Sequence, residues 1–268
     1  MKMNYLLNLS FLSFCLFPAV LYSQVLNIDR EGVENEQKKK WVFFTDLSFS
    51  SDKNKDNLLD VSSKIEIANF LKNNYVFVGV LNYDMTMNGT QMLQNEGYMQ
   101  VKFRDNDKQK ISNESYIQYQ WNGALGMEYR KLLGSNIRIK ILEKTDFDLY
   151  TGTGIFYELE QWNFGGVKDI DISLFPNSIN RNLFRLNHYW KGAYKINENI
   201  DISGVSYFQL PINSDATNLR WFIDLNTNIK MTKNSSFVIH YDHTYDNYRV
   251  VPISKYYYSL NLGIQLKW

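Results

Sequence analysis

Residues 256–268 read YYYSLNLGIQLKW. Tyr258, Leu260, Leu262, Ile264 and Leu266 alternate with Ser259, Asn261, Gly263, Gln265 and Lys267. Successive side chains of an extended chain point to opposite faces, so a period of two marks a strand with one apolar and one polar face. The pattern recurs upstream. In TNLRWFIDLNTNIKM (217–231), Leu219, Trp221, Ile223, Leu225, Ile229 and Met231 oppose Arg220, Asp224, Asn226, Asn228 and Lys230. Over 146–160, Phe147, Leu149, Ile155, Tyr157 and Leu159 oppose Asp146, Asp148, Tyr150, Glu158 and Glu160.

This periodicity predicts strands near 40–51, 59–71, 75–87, 93–105, 111–121, 123–132, 137–160, 182–195, 200–210, 217–231, 235–246 and 256–268. The stretch 137–160 is long for one strand, and Glu143-Lys144 marks a bulge or its true beginning. Trp121-Asn122-Gly123 reads as a tight turn. Short turns are expected at Lys72-Asn73-Asn74, Leu133-Gly134-Ser135, Asn197-Glu198-Asn199 and Thr232-Lys233-Asn234. Longer links are expected at 88–92, 162–181, 211–216 and 247–255. Short turns at one end and long loops at the other are the habit of outer-membrane barrels.

The first residues, MKMNYLLNLSFLSFCLFPAVLYSQ, carry one lysine, an apolar run and a small residue at position 23. They read as a signal peptide over 1–23. A charged lead-in follows over 24–39, and the alternating region 40–268 forms one domain. Cys15, the only cysteine, lies within the leader, so the exported chain is expected to have neither disulfide nor thiol chemistry. Lys and Arg number 29 against 28 Asp and Glu, a balance that gives nucleic acid no electrostatic footprint. No run after the leader has the length and apolarity of a transmembrane helix, a test that strands escape.

A soluble β-barrel or sandwich also alternates, but points its apolar face inward. Three features favour a membrane. The strands are long enough to span, which takes about 9–11 tilted residues. The polar faces carry glycines and charges of both signs. Aromatics gather near strand ends, at Trp41, Phe43, Tyr75, Trp162, Trp190, Tyr256 to Tyr258 and Trp268, as in interfacial girdles. The expected fold is therefore all-β, a closed antiparallel transmembrane β-barrel of about 12 strands. Closure is expected because hydrocarbon tolerates no open sheet edge.

Three stretches resemble the DUF481 family, the YdiY-like, salt-induced outer-membrane proteins. They are NNYVFVGVLNYDMT (73–86), ALGMEYRKLLGSNIRI (124–139) and TDFDLYTGTGIFYELEQW (145–162). Gly126, Tyr129 and Arg130 match part of a G-x-G-Y-R strand, with Ala-Leu-Gly in place of its Gly-x-Gly. Gly152, Gly154, Tyr157 and Glu158 or Glu160 match a G-x-G-Y-x-x-E strand. The resemblance implies an outer-membrane β-barrel and supplies neither substrate nor catalytic residues. For such proteins, a terminal aromatic like Trp268 resembles the signal read by the barrel-assembly machinery.

No motif for catalysis, cofactor or metal emerges. Gly152-Thr153-Gly154 lacks the Gly-Lys-Ser/Thr and helix of a phosphate loop, so its glycines are structural, admitting bulky inward neighbours. His240-Tyr241-Asp242-His243 concentrates possible ligands, but His243 falls on the opposite face from His240 and Asp242. A lipid hydrolase would need a serine and a histidine in reach of one another; Ser206 lies on the strand after lipid-facing His188 with plausible parity, and no local motif marks it as a nucleophile. The remaining alternative is a secreted or periplasmic binding protein. Expected lumen-lining residues include Glu66, Asp148, Glu158, Arg185, Arg220, Asp224, His240 and Asp242, with Asp84, Lys102, Arg104, Glu160, Lys191, Lys195 and Lys230 in the same phase. They either pair and fill the interior or line a path for small solutes. The expected protein is a monomer whose partners are outer-membrane lipids, the assembly machinery and at most small solutes. The link 162–181, with Ile170, Ile172, Leu174 and Phe175, forms either a constriction or an exposed contact.

Overall fold

The structure is a computed structural model that describes residues 41–53, 57–71, 75–105, 109–167, 171, 174, 176–212 and 217–266. The expected leader, the lead-in and Trp268 lie outside the described residues, as do Ile170, Ile172 and Phe175.

Among the described residues twelve strands run in chain order. They are β1 (Trp41–Lys53), β2 (Asn57–Phe70), β3 (Val76–Asn88), β4 (Gln91–Arg104), β5 (Ile111–Asn122) and β6 (Met127–Glu143). Then follow β7 (Phe147–Trp162), β8 (Ile179–Lys195), β9 (Ile200–Pro211), β10 (Arg220–Lys230), β11 (Ser235–Asp246) and β12 (Tyr256–Leu266). Each is hydrogen-bonded antiparallel to the next, giving one sheet in the order β1 to β12.

The expectation of a closed barrel is corrected at this point. The sheet order ends at β1 and β12, and among the described residues no ladder joins these strands, although their nearest Cα atoms come within 8 Å. Alternation fixes which face each side chain takes and which neighbour each strand meets. Closure depends on the accumulated tilt and stagger of the whole sheet, which no local pattern encodes.

The sheet is nonetheless strongly curled, because side chains on non-adjacent strands meet across its polar face. Tyr189 of β8 bonds Glu114 of β5, Asn187 of β8 bonds Asn136 of β6, and Arg220 of β10 bonds Glu158 of β7. Burial follows the same sense. Glu158, Arg185, Arg130 and Lys191 are buried, while Leu47, Phe49, Leu133, Ile155, Leu260 and Ile264 are exposed. The concave face is thus polar and the convex face apolar, the inverse of a soluble protein.

Several boundaries differ from the sequence reading; Trp121 and Asn122 close β5, and the turn expected at Trp121-Asn122-Gly123 falls at Gly123–Gly126. Leu133-Gly134-Ser135 lies inside β6, not in a turn, and the real β6–β7 turn is Lys144-Thr145-Asp146, closed by Lys144 N–H to Phe147 O at 2.9 Å. The link expected at 88–92 contracts to Gly89-Thr90, where Gly89 takes φ +59°. Glycine has no Cβ to oppose that conformation, so a two-residue hairpin forms. The remaining asymmetry stands: the long connections, 163–178, 212–219 and 247–255, all leave one end of the sheet.

Candidate functional site: a charged concave face

Among the described residues, arginines and carboxylates from β4 to β11 build two ionic layers on the concave face. At the long-loop end, Glu158 and Glu160 project from β7 in the phase of Tyr150 and Phe156. Glu158 is fully buried and accepts from Arg130 Nε at 2.9 Å, Arg185 Nε at 3.2 Å and Arg220 Nη1 at 3.0 Å. Glu160 accepts from Arg220 Nη2 at 3.2 Å and from Arg181 Nη2 at 2.6 Å. Arg220 Nε also reaches Asp246 at 2.9 Å. Several guanidiniums share each carboxylate, so the buried acidic groups are paired within the layer.

The 247–255 connection is strapped to this layer. Arg181 Nη1 donates to the Tyr248 carbonyl at 2.6 Å and its guanidinium lies over the Tyr248 ring. Val251 is buried in a cluster with Leu125, Met127, Trp162, Phe164 and Tyr257. Leu125 is set by a short helical turn, Gly123–Leu125, in which its own N–H donates to Asn122 Oδ1 at 3.0 Å. Burial pulls the Arg249 guanidinium below its ordinary pKa, while Asp246 and Tyr257 oppose that shift. This loop therefore covers the long-loop mouth.

The second layer sits near the short-turn end. Glu114 of β5 accepts from Arg104 Nε at 2.9 Å and from the Tyr189 hydroxyl at 2.6 Å, with Arg138 Nε 3.9 Å away. The Arg138 guanidinium stacks 3.7 Å over the Tyr150 ring. Gly152 and Gly154 make room here. A Cβ on Gly152 would enter the Tyr189 ring, and one on Gly154 would meet the Ser135 carbonyl and Asn136.

Between the layers lies a cavity of ≈ 30 Å³ bordered by Lys102, Arg130, Tyr116, Leu132 and the amides of Gln100, Gln118, Asn136, Asn187 and Gln209, with Tyr207. The amides run in chains: Gln209 donates to Asn187 and Asn187 to Asn136, while Gln100 donates to Gln118 and Gln118 to Gln120.

The expected inward residues divide as follows. Glu66, Asp84, Lys102, Arg104, Glu158, Glu160, Arg185, Lys191, Arg220, Asp224 and Asp242 are buried, and Asp148 and His240 are half-buried. Lys195 and Lys230 end their strands and are exposed. His240 bonds Asp224 at 2.9 Å, whereas Asp242 bonds Ser259, so the histidine and the two aspartates split between partners. Among the described residues no group of three or more His, Cys, Asp or Glu stands where it could hold a metal ion. His188 bonds Thr153 at 2.8 Å and Ser206 accepts from Trp221 at 2.8 Å, so each is engaged away from the other.

Sequence reasoning missed Arg130, Arg138, Glu114 and Asp246 as members of these layers. For Arg130 and Arg138 the signal exists: read as one strand, β6 puts Arg130, Leu132, Asn136 and Arg138 in a single phase.

The convex face carries the aromatics. Phe208, Trp221, His243, Tyr256 and Tyr245 make a chain of ring contacts across β9–β12 toward the long-loop end, and Tyr157 meets Phe184 on β7 and β8. Toward the short-turn end Trp41 stacks on Phe43 and Tyr75 on Phe103. Trp162 is an exception to the expected girdle, since its even phase on β7 turns it inward and buries it.

No family model matches this chain, and no curated protein matches it. Among solved structures, the chain is similar to the NanC porin at 12% identity, over 85% of this chain and 99% of that one, with a TM-score of 0.44. It is also similar to the translocator domain of the autotransporter NalP from Neisseria meningitidis, at 11% identity over 89% and 92% of the two chains, with a TM-score of 0.45.

Proposed function

We propose that this chain is an integral outer-membrane protein whose convex face contacts lipid and whose concave face encloses a narrow, charge-filled interior for small solutes. The inverted burial carries this reading: Glu158, Arg185 and Arg130 lie inside while Leu133, Ile155 and Ile264 lie outside. In water the exposed apolar surface would be an aggregation hazard, whereas in hydrocarbon it is the ground state. Strand lengths support it, since each strand meets the span of a tilted membrane strand. The aromatic contacts at both ends of the convex face suit two interfaces. The resemblance of Gly126, Arg130, Gly152 and Gly154 to DUF481 motifs agrees with the same placement. Insertion machinery and lipids are its partners in this reading. The backbone edges of β1 and β12 must then face protein or water rather than hydrocarbon.

The interior is narrow because its ionic layers span the concave face and the 247–255 loop covers one mouth. The test is expression in a Gram-negative host, with the membranes separated by density and washed in urea. The protein is expected to remain with the outer membrane, and recovery in the soluble periplasmic fraction would reject the proposal. In planar bilayers, conductance steps are expected to be small.

A further inference from the structure

We propose that the cavity between the two ionic layers is a binding site for a small monovalent anion of the halide class. The inference concerns the interior only and rests on the reading that this face admits small solutes.

Two observations carry it. First, the cavity is bordered by two cationic residues, Lys102 and Arg130, by amides such as Gln100, Gln118 and Gln209, and, among the described residues, by no carboxylate. Amides and phenols can turn N–H or O–H toward a bound ion, and each donor aimed at an anion strengthens the others in a low-dielectric interior. Second, the layer above the cavity holds more guanidinium than carboxylate. Arg130, Arg181, Arg185 and Arg220 share Glu158, Glu160 and Asp246. Arg185 is fully buried and spends only Nε on Glu158, while Nη1 and Nη2 have no hydrogen-bond partner among the described residues. Buried donors without an acceptor are costly, and four guanidiniums on three carboxylates favour a further negative charge nearby. Arg130 links the two observations, because it contacts Glu158 beside Arg185 and also borders the cavity.

Size selects the class. A water needs roughly 10–15 Å³ on this measure. The cavity of ≈ 30 Å³ has room for a halide and is small for an organic acid such as gluconate.

The experiment compares thermal unfolding of the full chain, purified in detergent, in sodium chloride and in sodium gluconate at equal ionic strength. Chloride is expected to raise the midpoint by several degrees, because a ligand that binds only the folded state stabilises it by mass action. Lys102→Gln is expected to weaken the chloride dependence about tenfold, the loss of one charge-assisted contact. Equal midpoints in the two salts for the unaltered protein overturn the proposal, as does an undiminished chloride shift in K102Q. Should K102Q fail to fold, bromide soaked into crystals of the unaltered protein decides. Anomalous density between Lys102 and Arg130 is expected, and a cavity without it overturns the site. Neither readout depends on membrane retention or conductance, so failure here and failure of the functional proposal are separable.

Discussion

Tyr189 on β8 stands directly opposite Gly152 on β7, and its ring occupies the space a Cβ on residue 152 would need. The same ring carries the hydroxyl that reaches Glu114 on β5, two strands beyond β7. The glycine thus permits the tyrosine to lie flat across the concave face, and the tyrosine ties distant strands together. Gly152→Ala is expected to destabilise the fold by about 1–3 kcal/mol through overpacking. In Tyr189→Ala the obstacle is gone, so adding Gly152→Ala should cost far less than it does alone. A double-mutant cycle on urea unfolding in detergent measures this coupling, expected at about 0.5–3 kcal/mol, and strict additivity would show that the two do not interact.

Glu158 is the hub of the long-loop layer. Glu158→Gln leaves the guanidiniums of Arg130, Arg185 and Arg220 without their shared anion. Removing one partner from a buried ionic set costs about 3–5 kcal/mol. Glu143→Gln, which breaks the exposed pair with Lys140, is the control and should leave the urea midpoint unchanged. Equal behaviour of the two variants would mean that the interior layer is hydrated.

The contrast between these residues shows what the sequence reveals. Most strands and their two faces were legible because period-two alternation survives in them, and Glu158, Arg185 and Arg220 followed from phase alone. The β6–β7 boundary was legible only in part: Glu143-Lys144 offered a bulge or a strand start, but Gly134 beside Ser135 has the composition of a turn. Its actual role is steric: a Cβ there would press on Tyr116 and Phe156 from the flanking strands. The true turn, Lys144-Thr145-Asp146, has no glycine or proline to announce it. Reading Gly134 as a break also hid the shared phase of Arg130 and Arg138. Glu114 meeting Tyr189, and the edges left at β1 and β12, depend on curvature of the whole sheet, for which no short stretch carries a signal.

The 247–255 loop offers a local test of how the long-loop mouth is covered. Val251 is buried against Leu125, Met127 and Trp162, so Val251→Asp puts an unpaired carboxylate into an apolar cluster. The loop is expected to detach while the ladders stay intact. Limited proteolysis should then cut within 247–255 in the variant and spare the parent, with the remaining strands protected in both. Protection of the loop in V251D would show that Arg181 and Tyr248 alone suffice to hold it.

The membrane reading makes a sign-sensitive prediction about the convex face. Leu133 and Leu174 are both highly exposed, but Leu133 lies in the middle of β6 and Leu174 in the β7–β8 connection. In a soluble protein, arginine at either exposed site would change stability by at most about 0.5 kcal/mol. In a bilayer, arginine on the lipid face near mid-depth costs about 2–4 kcal/mol, falling toward zero at the interface. Leu133→Arg is therefore expected to lower the urea midpoint in lipid vesicles strongly, and Leu174→Arg to leave it near the parent. Ile155→Arg, on the neighbouring strand and in the same exposed band, should behave like Leu133→Arg. If all three variants unfold with the parent in vesicles, the convex face does not contact hydrocarbon, and the apolar surface of β6 and β7 must instead be covered by another protein surface.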